Sequence, residues 1–411
     1  MKTYNSVRAE NSTRKGRRAL PALMLAAVML IAALLSSCSA GSAGKTGEPD
    51  QESTPFLPGV SGSIELPDDD FTDNTPLPEP TQVPTEVPEE FFESRTYSFI
   101  DDAALFKICG RSETTSKGVS CDWSAGGFEI NAYCRGDISV KFGVTGANFL
   151  AVFVDGERLE EDIYVKNTNT VVVKDLPAGR HHIEVYRQSE VREGRLLLKS
   201  LTLNGELEAP PAQKSRYLVF VGDSITSGFG IHEKTVSGAS SHVDATMAYP
   251  FLTARELDAD VDVVAVIGIG LVKGYVTETM GKVFPLIDYY RSTKNTYSAA
   301  RRPDAVVVNL GTNDATHSSD PAQFKEAAKD LIDQIRTTYG ADVPIVWVYN
   351  SMRADHYKYT LEVVDELAGA GVNITALKVP MDSSAAGHPS AAAHIKDKDV
   401  IVAHLKELLK W

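Results

Sequence analysis

The chain has 411 residues, of which 43% are hydrophobic and 23% are charged, so it holds enough apolar sequence for two packed cores. Its formal net charge of −14 leaves no basic field for nucleic acid, and only one stretch, at the extreme N-terminus, is long and apolar enough to cross a bilayer. The composition therefore excludes a nucleic-acid-binding protein, a bundle of membrane helices and a wholly disordered chain.

The first 37 residues have the order of a secretion signal, with four basic residues at 14–18 before an apolar run over 19–35. The run ends in Leu35-Ser36-Ser37-Cys38, which resembles the lipobox of bacterial lipoproteins, where the cysteine takes a diacylglycerol. The alternative is an ordinary signal peptide that contains a cysteine. We expect residues 1–37 to be removed and Cys38 to be lipidated, which would attach the mature chain to the outside of the bacterial cell membrane.

Residues 38–94 have the composition of a disordered linker. Nine of the twenty prolines lie there, together with thirteen acidic residues and a single basic one, Lys45. Such a stretch buries too little apolar surface to offset the entropy of ordering, and its like charges favour an extended chain. We expect it to act as a stalk between the membrane and a globular part.

Residues 95–209 predict the first globular domain. Short β-prone runs alternate there with turn residues, and the turns are expected at 155–156, 177–179 and 204–205. Six or more strands at this spacing predict an antiparallel β-sandwich, jelly-roll-like in type. The predicted strands cover residues 128–133, 138–142, 149–154, 170–173, 181–187 and 195–203.

Residues 210–411 predict a three-layer α/β domain with a parallel sheet, because strand-like and helix-like stretches alternate. Two of the strands are almost continuously apolar and rich in valine, as is typical of parallel strands buried on both faces. The predicted strands cover residues 217–221, 261–267, 304–310, 344–349 and 372–379. The predicted helices lie near residues 246–257, 321–338, 361–369 and 391–409.

Polar residues stand at three places where an α/β domain is expected to bind its substrate. Ser224 lies among glycines directly after the first parallel strand, and Asn313 follows the third. Ligands bind outside the carboxyl ends of such strands, where glycines let backbone N–H groups approach a substrate oxygen. His388 lies in a loop before the last helix, where its imidazole can act as a base. Together they predict a nucleophile, an oxyanion donor and a general base.

These motifs resemble the sequence blocks of the SGNH (GDSL-like) hydrolases. The first, third and fifth blocks of that family look like residues 222–224 (GDS), 311–314 (GTND) and 388–389 (HP). The resemblance implies that Ser224 is the nucleophile and His388 the base, and that Asn313 and the Ser224 N–H bind the oxyanion. It also implies a donor glycine in the second block, for which Gly270 is favoured over Gly268.

The sandwich narrows the resemblance to carbohydrate esterase family 2, through residues 154–156 (VDG), 176–182 (LPAGRHH) and 187–190 (RQSE). This resemblance implies a serine esterase that removes acetyl groups from xylan, glucomannan or a similar acetylated polysaccharide. We expect a monomer that needs no cofactor and no metal, since the nine histidines form no metal-binding motif. Two alternatives stay open: a lysophospholipase or thioesterase with the same blocks, and a carbohydrate-binding lipoprotein whose hydrolase domain is a non-catalytic scaffold.

The group that orients His388 is left open by the sequence. Many SGNH hydrolases have an aspartate three residues before the histidine, but Ala385 stands there, and the nearest acid upstream is Asp382. Some members of the resembled esterase family are similar to Ser-His dyads, in which a main-chain carbonyl accepts the orienting hydrogen bond. Either Asp382 or a carbonyl therefore fits the sequence.

Cysteines and a tryptophan of the first domain also leave alternatives. Cys109, Cys121 and Cys134 allow one disulfide outside the cytoplasm or three buried thiols. Trp123 is expected in the core of the sandwich, with a sugar-stacking surface as the alternative.

Overall fold

The computed structural model describes residues 89–165, 168–232, 243–290, 296–352 and 356–411. The predicted signal segment, Cys38 and the linker up to residue 88 lie outside the described residues, so the predictions for them stay predictions. Among the residues that are described, no helix is both long and apolar enough to span a membrane.

The N-terminal domain is built from ten antiparallel strands that surround one apolar core. Numbered in chain order, its strands pair in the order β3-β4-β10-β5-β9-β6-β7, while β1 pairs with β10, β2 with β5 and β8 with β6. Inward-facing side chains such as Phe128, Ile138 and Ile183 are fully buried between these strands. The strands are β1 (Ser94–Ser98), β2 (Lys107–Cys109), β3 (Glu113–Thr115), β4 (Gly118–Ser120), β5 (Gly127–Gly146), β6 (Phe149–Val154), β7 (Glu157–Arg158), β8 (Ile163–Tyr164), β9 (Asn169–Arg187) and β10 (Gly194–Leu207).

Several predicted strands of this domain are joined in the structure. β5 contains both 128–133 and 138–142, and β9 contains both 170–173 and 181–187. The predicted turns at 177–179 and 204–205 were therefore wrong, since both lie inside strands. Irregular positions such as Gly136 (φ 72°) and Asp175 (φ 52°) accompany shifts in register, so a strand bends there without leaving the sheet. The turn at 155–156 is confirmed, with φ values of 54° and 89°.

The C-terminal domain has a parallel sheet of five strands in the order β12-β11-β13-β14-β15. Val306 and Val308 pack against helices on one face and Val307 against helices on the other, so both faces of the sheet are covered. The strands are β11 (Arg216–Gly222), β12 (Ala259–Ala265), β13 (Ala305–Asn309), β14 (Ile345–Tyr349) and β15 (Ile374–Lys378). The helices are α1 (Tyr249–Glu256), α2 (Met280–Val283), α3 (Thr312–Thr316), α4 (Pro321–Tyr339), α5 (Tyr357–Gly369) and α6 (Ala391–Leu409).

The predicted fold class is confirmed: an antiparallel domain precedes a three-layer α/β domain with a parallel sheet. The five predicted parallel strands and four longer helices are all present, whereas α2 and α3, of four and five residues, were not predicted. So short a helix shows too few turns for its apolar period to be recognised. Short 3-10 helices at Glu89–Phe92, Ala103–Leu105 and Val191–Glu193 complete the structure.

The open alternatives for the first domain are decided by burial. Trp123 is 1% exposed and its Nε1–H donates to the Ile287 carbonyl at 2.9 Å, so it is a core residue and not a sugar-stacking surface. The expected place in the core of the sandwich was wrong, because Trp123 packs with the apolar core of the C-terminal domain. Cys109, Cys121 and Cys134 are free thiols. Burial raises the pKa of Cys134 to about 11, which keeps its thiol protonated and unreactive near neutral pH.

Candidate active site

Ser224 stands at the carboxyl edge of the parallel sheet, in the turn that follows β11. The chain reverses there through hydrogen bonds from Ser227 N to Asp223 O at 3.1 Å and from Phe229 N to Ser224 O at 3.0 Å. Because β11 lies between β12 and β13, the turn opens towards the loops that follow both neighbouring strands. Ser224 is 5% exposed, and its Oγ lies 2.8 Å from Nε2 of His388.

The structure thus brings together the predicted nucleophile and the predicted base, which are 164 residues apart in sequence. The His388 ring is packed edge-on against Phe229, with the ring centroids 4.8 Å apart. Burial lowers the pKa of His388 below its usual 6.5. The imidazole is therefore neutral at pH 7, and its Nε2 can accept the proton of the serine hydroxyl.

The orienting group of His388 is a main-chain carbonyl in this structure. Nδ1 lies 3.4 Å from the Ala386 carbonyl oxygen, and within the described residues no carboxylate hydrogen-bonds to the imidazole. Asp382 instead accepts hydrogen bonds from Ser384 N (2.7 Å), Ser384 Oγ (2.6 Å) and Ser390 Oγ (3.2 Å). Asp382 therefore orders the loop before α6, and the geometry favours a Ser-His dyad over a triad.

Asn313 lies at the start of α3 and reaches both loops beside the nucleophile. Its Nδ2 donates to the Ile269 carbonyl at 2.8 Å and to Asp223 Oδ2 at 3.1 Å. The side-chain amide therefore lies between the nucleophile turn and the loop after β12, with both of its N–H bonds donated to these two acceptors. The role of Asn313 as an oxyanion donor stays a prediction that this position suits.

Gly270 lies in the loop after β12, which passes close to its own backbone. A Cβ atom at Gly270 would overlap the Lys273 carbonyl oxygen, so only glycine fits there. Asp314 stabilises the second half of the loop, because its carboxylate accepts hydrogen bonds from Leu271 N (2.8 Å), Val272 N (2.8 Å) and Lys273 N (3.0 Å). Glycine is thus required at position 270 by the tight path of this loop, and the role of Gly270 as oxyanion donor, like its choice over Gly268, stays a prediction.

Asp223 gives the site a buried carboxyl beside the nucleophile. Burial and the nearby charge of Asp314 raise its pKa to about 7, while a hydrogen bond from Ile225 N at 3.0 Å lowers it.

Sequence reasoning missed two further features near this site. Tyr275 is 60% exposed, and its ring meets the edge of His317 at 4.5 Å, next to α3. The other feature is a cluster of Asp162, His232 and Asp244, whose potential metal-ligand atoms lie within 4.8 Å of one another. The Arg158 guanidinium already donates to both carboxylates of that cluster at 2.8 Å, so a cation of the protein itself compensates their charge. The residues of each feature are far apart in the sequence or irregularly spaced, so no helix or strand periodicity indicates that they meet.

Two family models match consecutive parts of the chain. The model described as carbohydrate esterase 2 N-terminal matches residues 108–211, and that of the GDSL-like Lipase/Acylhydrolase family matches residues 220–394. The second match contains both Ser224 and His388. The predicted resemblance to these two groups is confirmed.

Curated relatives of this chain are named as esterases. The cellulase/esterase CelE of Acetivibrio thermocellus is 31% identical over 320 residues, which cover 72% of this chain and 38% of the relative. An acetylxylan esterase / glucomannan deacetylase of Cellvibrio japonicus is 29% identical over 212 residues, which cover 43% of this chain and 58% of the relative. The chain spans less than two thirds of the length of these curated relatives.

Solved structures of similar proteins share the architecture. A family two carbohydrate esterase from Clostridium thermocellum, solved in complex with cellohexaose, is 28% identical, with 74% of this chain and 99% of that chain covered and a TM-score of 0.70. An acetyl xylan esterase from the rumen bacterium Butyrivibrio proteoclasticus is 19% identical, with coverages of 77% and 99% and a TM-score of 0.70. At that identity the second structure supports the fold alone.

Proposed function

We propose, from the premise that residues 108–211 and 220–394 match a carbohydrate esterase 2 N-terminal domain and a GDSL-like hydrolase, that this chain is a serine esterase. It removes acetyl groups from an acetylated polysaccharide such as xylan or glucomannan. The observation that carries the proposal is the 2.8 Å contact between Ser224 Oγ and His388 Nε2 at the carboxyl edge of the parallel sheet. The names of the curated relatives support an acetyl ester of a polysaccharide as the substrate.

The first half of the reaction transfers the acetyl group to the enzyme. His388 Nε2 accepts the proton of Ser224 as Oγ attacks the acetyl carbonyl carbon. The tetrahedral oxyanion is bound by the N–H groups of Ser224 and Gly270 and by the side-chain amide of Asn313, which exchanges its longer hydrogen bond, to Asp223 at 3.1 Å, for the oxyanion. His388 then gives its proton to the sugar oxygen, which leaves as a hydroxyl group.

The second half of the reaction releases acetate. A water molecule loses a proton to His388 Nε2 and attacks the acetyl-serine carbonyl, and the same donors bind the second oxyanion. Collapse of this intermediate returns the proton to Ser224 Oγ. The Ala386 carbonyl stabilises the imidazolium that forms in both halves, through the hydrogen bond from Nδ1.

A saccharide substrate is also supported by the surface beside the catalytic loops. Tyr275 exposes 60% of its surface, and its neighbour His317 donates from Nδ1 to the Asn313 carbonyl at 2.9 Å. The backbone N–H of Tyr275 donates to the Gly268 carbonyl at 2.8 Å, so this exposed ring stands beside the loop after β12. Such a ring offers a flat apolar face to a sugar ring. A lysophospholipase or thioesterase is not favoured, because the curated relatives act on carbohydrate. A non-catalytic scaffold is not favoured either, because the nucleophile and base are already in hydrogen-bonding contact.

The cellular location belongs to the proposal as well. The apolar run over residues 19–35, followed by Cys38, supports cleavage and lipidation of a bacterial lipoprotein. The predicted linker, from Cys38 up to the 3-10 helix at Glu89–Phe92, would be the stalk. The mature chain would then act as a monomer on the outer side of the membrane, where polymeric substrate is accessible.

The experiment that tests the function compares esters of different acyl length and then natural substrates. We expect hydrolysis of p-nitrophenyl acetate to exceed that of longer p-nitrophenyl esters, and release of acetate from acetylated xylan or glucomannan. Ser224→Ala should remove both activities. Preference for long acyl chains would replace the proposal with a lipase or thioesterase, and inactivity of the folded wild type on every ester would leave a binding protein.

A further inference from the structure

The end of β9 carries a buried polar segment, residues 187–190, which the catalytic mechanism does not use. None of its four residues is more than 2% exposed. Arg187 makes the segment rigid, since its guanidinium donates to the carbonyl oxygens of Asp122, Glu190 (2.9 Å) and Gly194 (2.8 Å). Buried charged groups of this kind are costly unless each is paired, so their contacts indicate what the segment does.

Glu190 uses its two carboxylate oxygens for different purposes. Oε2 accepts from Arg192 N at 2.9 Å and so caps the short 3-10 helix Val191–Glu193 of its own domain. Oε1 accepts from Ile267 N at 3.0 Å, in the loop after β12 of the hydrolase domain. One side chain therefore joins the sandwich to the loop that contains Gly270.

That loop is fixed at both ends by carboxylates. Glu190 accepts from its first residue, Ile267, and Asp314 accepts from the backbone N–H groups of residues 271–273. Between the two lie Gly268 and Gly270, the two candidates for the oxyanion donor of the second block. The Asp314 contact comes from the hydrolase domain itself, whereas the Glu190 contact comes from the sandwich.

The same segment also reaches the nucleophile turn, residues 223–229, through residues 244–245. Gln188 Nε2 donates to Asp244 Oδ2 at 3.2 Å, and Gln188 O accepts from Ala245 N at 3.2 Å. Asp244 N in turn donates at 3.3 Å to the carbonyl of Gly228, in the turn that begins with the nucleophile. Residues 187–190 therefore contact the loop after β12 directly and the nucleophile turn only through residues 244–245.

We infer that the sandwich segment 187–190 positions the esterase site, and that Glu190 is the positioning residue that sets the oxyanion loop through Ile267 N. This inference rests on the proposed function. Glu190 touches neither substrate nor reacting atoms, and it acts on catalysis through the placement of Gly270. Displacement of a catalytic group by about 1 Å can cost up to 100-fold in rate, so a side chain one methylene too short is a sufficient perturbation.

The test is Glu190→Asp, with Glu184→Asp as the matched control. Aspartate is a good cap, so the change keeps the contact with Arg192 N but ends short of Ile267 N. Glu184 is also buried, lies on β9 and likewise contacts the hydrolase domain. Its carboxylate accepts a hydrogen bond from Arg255 of α1, away from the nucleophile turn and from the loop after β12. We expect Glu190→Asp to lower kcat on p-nitrophenyl acetate about tenfold with KM within about twofold of wild type, while Glu184→Asp leaves kcat unchanged.

Equal kcat values for Glu190→Asp and the wild type would overturn the inference, as would equal losses in Glu190→Asp and Glu184→Asp. Glu190→Gln, which keeps the length of the side chain and one acceptor oxygen, is the second variant. A smaller loss of kcat in Glu190→Gln than in Glu190→Asp supports the positioning role. If neither variant folds, Glu190 has a purely structural role and the inference is wrong. The proposed function is tested separately by the wild type and Ser224→Ala, so it can fail or stand independently of these variants.

Discussion

Replacement of Asp382 by asparagine distinguishes a Ser-His dyad from a Ser-His-Asp triad. Asp382 is the nearest acid before His388, but its hydrogen bonds go to Ser384 and Ser390. Asp382→Asn keeps the oxygen that accepts from Ser384 N and Ser384 Oγ. Its new NH₂ group faces Ser390 Oγ, which can accept a hydrogen bond from it. We therefore expect the loop to keep its shape and the enzyme to keep most of its activity.

The size of the effect follows from what the substitution removes. These three pairs can persist, and what is lost is the charge assistance, including that to the backbone N–H of Ser390, which also donates to the Asp382 carboxylate, at about 1 kcal/mol for a bond that weakens. If that whole cost appeared in the transition state, kcat would fall less than about tenfold, since tenfold corresponds to about 1.4 kcal/mol. A triad carboxylate made neutral costs about 10⁴-fold, so the two cases differ by roughly three orders of magnitude.

The assay is kcat on p-nitrophenyl acetate at pH 8, with Ser224→Ala as the background and the thermal unfolding midpoint as the check on folding. Asp304→Asn is the matched control, because Asp304 is also partly buried and accepts from a backbone N–H, that of Tyr217 at 2.8 Å, at the opposite edge of the sheet. Both variants should remain folded and active. A loss of three or more orders of magnitude in folded Asp382→Asn alone would refute the dyad.

Three further predictions concern the base, the nucleophile and the membrane attachment. Ser224→Ala and His388→Ala should each retain at most a few per cent of the wild-type kcat, because nucleophile and base act as a unit, and their unfolding midpoints should be almost unchanged. Substantial activity in either variant would mean that another residue is the nucleophile or the base. Because burial lowers the pKa of His388, kcat/KM should be lost on the acid side with a midpoint below pH 6.5, and a midpoint above 6.5 would contradict the buried, neutral imidazole. Wild-type protein should partition with membranes, and Cys38→Ser should be released or remain uncleaved; finding the wild type in the medium would refute the anchor. A fragment from residue 89, which keeps the 3-10 helix Glu89–Phe92 and β1, should be soluble and fully active.

Local pattern predicted the parallel sheet well and the antiparallel domain less well. β14 was predicted at 344–349 and lies at Ile345–Tyr349, because a run of buried apolar residues between turn signals has one simple interpretation. β5 was predicted as two strands, since the residues at its bend look like a turn in sequence. Whether such residues end a strand or bend it depends on the pairing partner, which local sequence does not contain.

The candidate site shows the same limit. Ser224, Asn313 and His388 follow or precede regular elements at predictable edges, so their meeting could be expected from topology. The contact between Glu190 and Ile267 N could not, because it joins a side chain to a backbone N–H of another domain, 77 residues away. Residues 187–190 form a recognisable motif in the sequence, but only the folded structure shows which groups they contact.

The junction between the two sheets limits how the hydrolase half could be exchanged in evolution or in protein engineering. Arg111 donates from the first domain to the carbonyls of Phe284 (2.5 Å) and Leu286 (3.2 Å), and Trp123 donates to that of Ile287. A shuffled gene that joined residues 210–411 to an unrelated partner would leave these carbonyls without their donors and Ile267 N without its acceptor, at a surface that is now half-buried or buried. Recombination should therefore move the two halves as a pair, and chimeric designs should cut the chain before residue 95.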